Sequence, residues 1–156
     1  MQKLIHILYG EYLKDFDLED ANYYPHGEDD QEIRIVFREK ATKAPRSGLV
    51  KNGYLKKIEL IDAPTAGHPV YLHFYRRRWQ DSQTKQSFYN EYDFAITGTK
   101  LTHRFGNFLK EKDRKEVGEF LDVFPLLQSE VKTALPLLQD SRRFLQGIFT
   151  KRASSA

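Results

Sequence analysis

Cysteine is absent from this chain, so disulfide frameworks and cysteine zinc sites are excluded. The absence fits a reducing compartment. No stretch reaches the roughly 20 apolar residues that a membrane-spanning helix needs, so no membrane partner is expected. The opening MQKLIHILYGEYL is interrupted by His6, Gly10 and Glu11 and has no small-residue cleavage site. It does not read as a signal peptide, and the cytoplasm is the expected setting. No internal repeat and no low-complexity tract occurs. Also missing are a glycine-rich phosphate loop and a serine or cysteine nucleophile motif. The five histidines, His6, His26, His68, His73 and His103, are scattered, with no pair at metal spacing. Asp29 and Asp30 in GEDDQE read as solvated charge in a turn. The chain alone is therefore expected not to be an enzyme, and to need no cofactor and no metal.

What is present is an uneven distribution of charge. Residues 1–39 carry 4 basic and 10 acidic side chains, residues 40–86 carry 10 and 3, and residues 87–156 carry 11 and 9. The middle segment, net +7, is a candidate surface for a polyanion. The plainer reading is a solvated surface that offsets the acidic first third.

The hydrophobic pattern predicts an α+β fold. Leu4, Ile7, Leu8 and Tyr12 stand at helical spacing, and DLEDANYYPHGEDD reads as an extended piece running into a turn. Four strand-like runs follow, at about 31–39, 54–62, 69–79 and 86–96. Ile33, Ile35 and Phe37 alternate with Arg34, Val36 and Arg38; Ile58 and Leu60 alternate with Lys57 and Glu59. Val70, Leu72 and Phe74 alternate with Tyr71, His73 and Tyr75. ATKAPRSGLVKNG reads as a basic loop with a turn at Asn52-Gly53. The polar QDSQTK has the chemistry of a hairpin connection, so an antiparallel meander is expected.

Beyond residue 100 the period becomes helical, to about residue 149. Leu101, Phe105, Phe108 and Leu109 share a face, with Thr99 or Thr102 as the cap. Pro125 and Pro136 fit first-turn positions that would split the tail into short helices. The apolar positions from Phe120 to Ile148 would cap the sheet or pair between chains. The expected division is an α+β domain over 1–112, appended helices over 113–150 and a frayed tail over 151–156.

The run YLHFYRRRW ends a half-buried strand in Arg76, Arg77, Arg78 and Trp79. Successive strand side chains face opposite ways, so three arginines converge only where the strand twists or ends. Glu91 and Asp93 could answer one across a hairpin, but two acids cannot neutralise this trio plus Lys85. The trio is therefore expected to stay open to an outside anion, with the guanidinium fork suited to phosphate or to a guanine edge. Trp79 is better explained as a core residue. The candidate nucleic-acid-binding set is Arg76, Arg77, Arg78, Lys85, Lys100, Arg104, Lys56 and Lys57.

DAPTAGHPVYLHFYRRRW followed by GTKLTHRFGNFLK resembles the N-terminal region of bacterial insertion-sequence transposases. The resemblance rests on Asp62, Pro64, Gly67, Val70, Leu72, Arg76, Arg77, Arg78, Trp79, Gly98, Thr99, Leu101, Thr102, Phe105 and Leu109. It covers about residues 54–110 and the opening segment. A related transposase group has cysteines after the arginines and holds zinc there; the resemblance implies a metal-free version here. His68 departs from the usual lysine or arginine, and the tail after Lys112 matches nothing in the pattern. The resemblance implies a module that contacts element-end double-stranded DNA in transposition, ahead of a separate catalytic domain or chain. Two other readings stand beside it. One is a protein-interaction or oligomerisation domain without nucleic acid, with the acidic first third docked on the basic strand of a second copy in a homodimer. The other is an α+β domain whose aromatics line a small-ligand cavity.

Overall fold

The alternation of Ile33, Ile35 and Phe37 makes the strand it predicts. The computed structural model describes residues 2–25 and 31–138, and its fold is α+β. A short helix, α1 (Gln2–Tyr9), precedes strands β1 (Phe16–Pro25), β2 (Gln31–Glu39), β3 (Leu49–Tyr54), β4 (Ile58–Thr65), β5 (His68–Tyr75), β6 (Arg77–Asp81) and β7 (Ser87–Phe88). Helices α2 (His103–Lys110) and α3 (Arg114–Val123) follow, then a 3-10 turn at Pro125–Leu127 and a helical run, α4, over 128–138. The contacts divide the chain after Asp93, where the sequence suggested a boundary after residue 112. One unit is Met1–Leu60 with Pro64–Asp93; the other is Ile61–Ala63 with Phe94–Ala156.

The strands are not a meander. They form a four-stranded sheet in the order β1-β2-β5-β4 and a three-stranded sheet in the order β3-β6-β7. β2 pairs antiparallel with β1 and parallel with β5, from Ile33↔Val70 to Arg38↔Tyr75. The acidic extended piece is thus a strand in its own right, because β2 supplies cations opposite its acids: Arg38 Nη2 donates to both Glu19 oxygens at 2.7 and 2.9 Å. The basic loop before residue 54 contains β3. Asn52-Gly53 is a bulge within that strand, with Gly53 at φ 75°, and not a turn between strands. The true tight turn is Ala66-Gly67, both at positive φ, which joins β4 to β5.

The expected strand over 69–79 is broken at Arg76, and its two halves enter different sheets. Only Ser87 and Phe88 of the expected 86–96 strand are paired in a ladder. The inner face of the larger sheet is aromatic. Phe37 and Phe74 stack at 5.0 Å, and Tyr12 and Phe16 meet Phe74 edge-on at 5.1 and 5.3 Å. α1 buries Ile5 and Tyr9, and the turn after it buries Tyr12. Of the face expected from Leu4, Ile7, Leu8 and Tyr12, only Tyr12 turns inward; the three aliphatics lie on the outer side, since the aromatic rings of this sheet select Tyr9 and Tyr12 as partners.

The second unit is held by Leu101, Phe105, Leu109, Val117, Leu127, Val131, Ala134 and Leu138, all buried. Thr102 caps α2, accepting from the Phe105 amide at 3.1 Å. Asp113 and Glu116 form a capping box at the start of α3. Pro125 opens the 3-10 turn as expected, whereas Pro136 lies inside α4 and starts no new helix. Asp29, Asp30, His26 and the expected apolar positions Phe144, Leu145 and Ile148 fall outside the described residues, as does the tail over 151–156.

Gly106 sits in α2 for a packing reason. A Cβ there would lie 1.8 Å from Ile96 Cδ1 and 3.5 Å from Leu138 Cδ2. Alanine in place of glycine favours a helix by up to ~1 kcal/mol, but overpacking costs about 1–3 kcal/mol. Gly106→Ala is therefore expected to lower stability by roughly 1–2 kcal/mol in urea unfolding; an unchanged or raised midpoint would contradict this packing.

Candidate nucleic-acid interface

The break between β5 and β6 is built around a buried acid. Alternation from Ile33 carries the inward face of β2 on to Glu39, whose side chain is fully buried. Its Oε1 accepts the Arg77 amide at 3.1 Å, and its Oε2 accepts the Tyr92 hydroxyl in a short bond and Asn90 Nδ2 at 3.4 Å. Burial first, and the Glu39 carboxylate second, push the Tyr92 phenol well above its ordinary range, so it stays a donor. Asn90 also donates to the Lys43 carbonyl. These demands explain why residues after Phe88 leave the ladder.

The arginine trio is anchored by main-chain oxygens. Arg76 Nη1 donates to the Asn90 carbonyl at 3.2 Å, Arg77 Nε to the Glu39 carbonyl at 2.8 Å, and Arg78 Nε to the Asn52 carbonyl at 3.0 Å. The expectation of an unengaged trio is thus corrected: each side chain has an anchor, because strand break and bulge leave carbonyls without ladder partners. The charges themselves are not answered. Among the described residues none of the three forms an ion pair with a carboxylate, and a guanidinium has five donors. Arg76 and Arg77 are half-buried and lie over the rings of Tyr89 and Tyr54 at 5.1 and 5.0 Å. Arg78 is exposed and crosses the bulge.

Pairing of Lys51↔Trp79↔Phe88 and Tyr54↔Arg77 puts these residues on one face of the small sheet. Trp79 is buried there, as a core residue whose Nε1 has no hydrogen-bond partner. The opposite face carries Arg78, Gln80 and Val50. At the β6–β7 turn, Lys85 is exposed at φ 63°. Asp81 shapes that turn, accepting the Gln83 and Thr84 amides at 2.8 and 3.1 Å. Those amides, with Arg46 at 2.9 Å, hold the Asp81 carboxyl below its usual range. The segments 40–54 and 76–88 thus bring Lys40, Lys43, Arg46, Lys51, Arg76, Arg77, Arg78 and Lys85 into one sheet and its entry loop. Their single acid is Asp81.

The other predicted residues are placed differently. Lys56 and Lys57 follow β3 and are exposed, with Lys57 3.8 Å from Glu59. Lys100 and Arg104 belong to the second unit. Lys100 is exposed, but Arg104 is committed: its Nε and Nη2 grip both oxygens of Asp62, with Nε at 3.2 Å, and Thr102 Oγ1 donates to the same acid at 2.7 Å. Asp62 is 1% exposed. Sequence reasoning missed Glu39, and took Asp62 only as part of a resemblance. The signal for both was an acid at an inward strand position, two residues beyond Phe37 and Leu60.

The outer face of β2 and β5 is charge-compensated. Arg34 pairs with Glu32 and lies 4.1 Å over Tyr24; Arg38 pairs with Glu19 and lies over Tyr54 and Tyr75. His73, buried at 4% exposure, meets Glu59 at 3.0 Å. Among the described residues no group of three His, Asp or Glu could hold a metal ion, and no helix is long and apolar enough to cross a membrane.

Comparison with protein-family models, with curated proteins and with solved structures finds no match.

Two outcomes test this geometry. Tyr92→Phe deprives the buried Glu39 of a donor and is expected to cost about 1–3 kcal/mol of stability by denaturant unfolding. Burial, and then Lys57, lower the His73 pKa against the opposing pull of Glu59. Above about pH 6.5 both states hold this ring neutral; below it the unfolded chain takes up a proton that the folded one resists, so stability falls on acidification. His73→Gln should flatten thermal midpoint against pH below about 6.5; an unchanged slope would remove His73 as a cause.

Proposed function

We propose that this chain is a non-catalytic DNA-binding module, contacting the backbone of double-stranded DNA through the β3-β6-β7 sheet. The observation that carries the reading is the charge of that sheet and its entry loop. Within these segments eight cations accompany one acid, which is already taken by Arg46 and the turn amides; of the other seven, only Lys43 meets a carboxylate among the described residues, that of Asp15 at 3.1 Å. Exposed Arg78 and Lys85 are the groups best placed to exchange water and counterions for phosphate oxygens. Arg76 and Arg77, clamped on carbonyls, would fix the shape of the surface and add to its field. Arg104 is removed from the contact set, since Asp62 holds it. The resemblance to the N-terminal region of insertion-sequence transposases supports the same assignment: recognition of element-end DNA in the cytoplasm of a bacterium, with catalysis on another domain or chain.

The test is fluorescence anisotropy with duplex DNA across a salt series. Arg78→Ala/Lys85→Ala leaves the buried cluster untouched. It should weaken binding roughly tenfold at low salt and reduce the log–log salt slope by about 2. Wild-type protein that fails to bind duplex at low salt would overturn the proposal and leave a protein-interaction domain as the better reading. Equal binding by the double variant at every salt concentration would overturn the assignment of the surface.

A further inference from the structure

The outer face of the small sheet carries uncharged groups between its cations. Register sets Val50 opposite Gln80, and Gln80 opposite Ser87. Arg78, two residues before Gln80 on β6, shares that face. Asp81 alternates with Gln80 and falls on the Trp79 side, so no acid of β3, β6 or β7 stands on the outer face. Val50 is 49% exposed there. The Gln80 amide is held, its Nε2 donating to the Lys85 carbonyl at 3.2 Å. That bond uses one amide proton and leaves the second, with Oε1, as a donor beside an acceptor. Along β6 the order is Arg78, Gln80 and then the turn that carries Lys85. A fixed amide thus lies between two exposed cations, with a branched aliphatic side chain next to it.

We infer that this face reads base edges in the major groove, Gln80 on adenine and Val50 on the thymine methyl, while Arg78 and Lys85 hold flanking phosphates. The inference rests on the DNA-binding reading above, and adds the groove, the base pair and the residues that choose it. Phosphate contacts set orientation but carry no sequence. A glutamine amide matches adenine N6 and N7, and an aliphatic side chain packs on the C5 methyl of thymine; in the major groove an A·T pair offers both. Cβ atoms of directly opposed residues stand about 5 Å apart, so amide and methyls reach one base pair or its neighbour. The shape also fits. The major groove admits a two-stranded ribbon, and β7 adds only Ser87 and Phe88 to the ribbon of β3 and β6. Ser87, the residue beside Gln80, is short. A lone exposed valine would be ordinary. Its register beside a held amide, between cations, is what points to a base pair.

Selection from a random duplex library by the wild-type protein, followed by anisotropy on the selected duplex, tests this. The selected site is expected to hold a fixed A·T pair. Replacing its adenine by 7-deazaadenine should weaken wild-type binding roughly tenfold, and binding by Gln80→Ala less than about twofold. Replacing its thymine by uracil, which lacks the methyl, should weaken the wild type about threefold and leave Val50→Ala nearly unchanged. Neither variant loses a charge, so both should keep the wild-type salt slope, unlike Arg78→Ala/Lys85→Ala. A wild type that binds duplex but enriches no A·T pair would overturn the inference and leave the DNA-binding proposal standing. So would base analogues that affect wild type and variants equally. A wild type that binds no duplex would overturn both.

Discussion

One buried carboxylate organises the first unit. Glu39 lies at the end of a strand whose other inward positions are hydrocarbon, and a bare carboxylate there would cost several kcal/mol. Three donors make it tenable: the Arg77 amide, the Tyr92 hydroxyl and the Asn90 side chain. Each satisfies the acid only if its own segment departs from regular structure. Arg77 must begin a new strand, and residues 89–92 must leave the ladder. The two-sheet arrangement of this unit is the form in which that acid can be buried.

The arginine run follows from the same constraint. Where a strand changes sheets, its carbonyls and those of its neighbours lose ladder partners, and long cationic side chains can cap them. A neutral side chain would meet the hydrogen-bonding need as well. Three consecutive arginines add a field that the sheet does not cancel, while Glu19 of β1 is spent on Arg38 of β2 and Asp20 on the Tyr24 hydroxyl. The acidic first third answers the basic middle segment at Lys43, which meets Asp15 at 3.1 Å, but among the described residues it forms no ion pair with the arginine trio.

Much of the fold was legible because period-2 alternation reports which face is buried. Ile33, Ile35, Phe37, Leu72 and Phe74 identified the inner face of the larger sheet, and Thr102 the start of α2. Strand partners were not legible. Adjacent runs suggested hairpins, but β3 leaves for the second sheet and frees the edge of β2 for a parallel mate. β1 was obscured by its acids, which count against a strand until opposing arginines are known. The face of α1 was misjudged because Leu4, Ile7, Leu8 and Tyr12 stand at helical spacing, whereas ring packing keeps Tyr12 and selects Tyr9 and Ile5 instead of the three aliphatics. At the candidate interface, residue types marked the segment whose cations the small sheet gathers. Anchoring on Asn52, Glu39 and Asn90 could not be seen, since main-chain oxygens leave no trace in composition.

The parallel pairing of β2 with β5 has a consequence for how the chain acquires its shape. All of residues 40–67 lie between the two strands, and closing so long a loop costs entropy before any ladder bond rewards it. On a ribosome the β1–β2 hairpin would emerge with one rim of β2 bare, and would wait until Tyr75 had been added. An unpaired rim of that kind is a template for intermolecular strand addition, so the nascent protein is most vulnerable to aggregation in that interval.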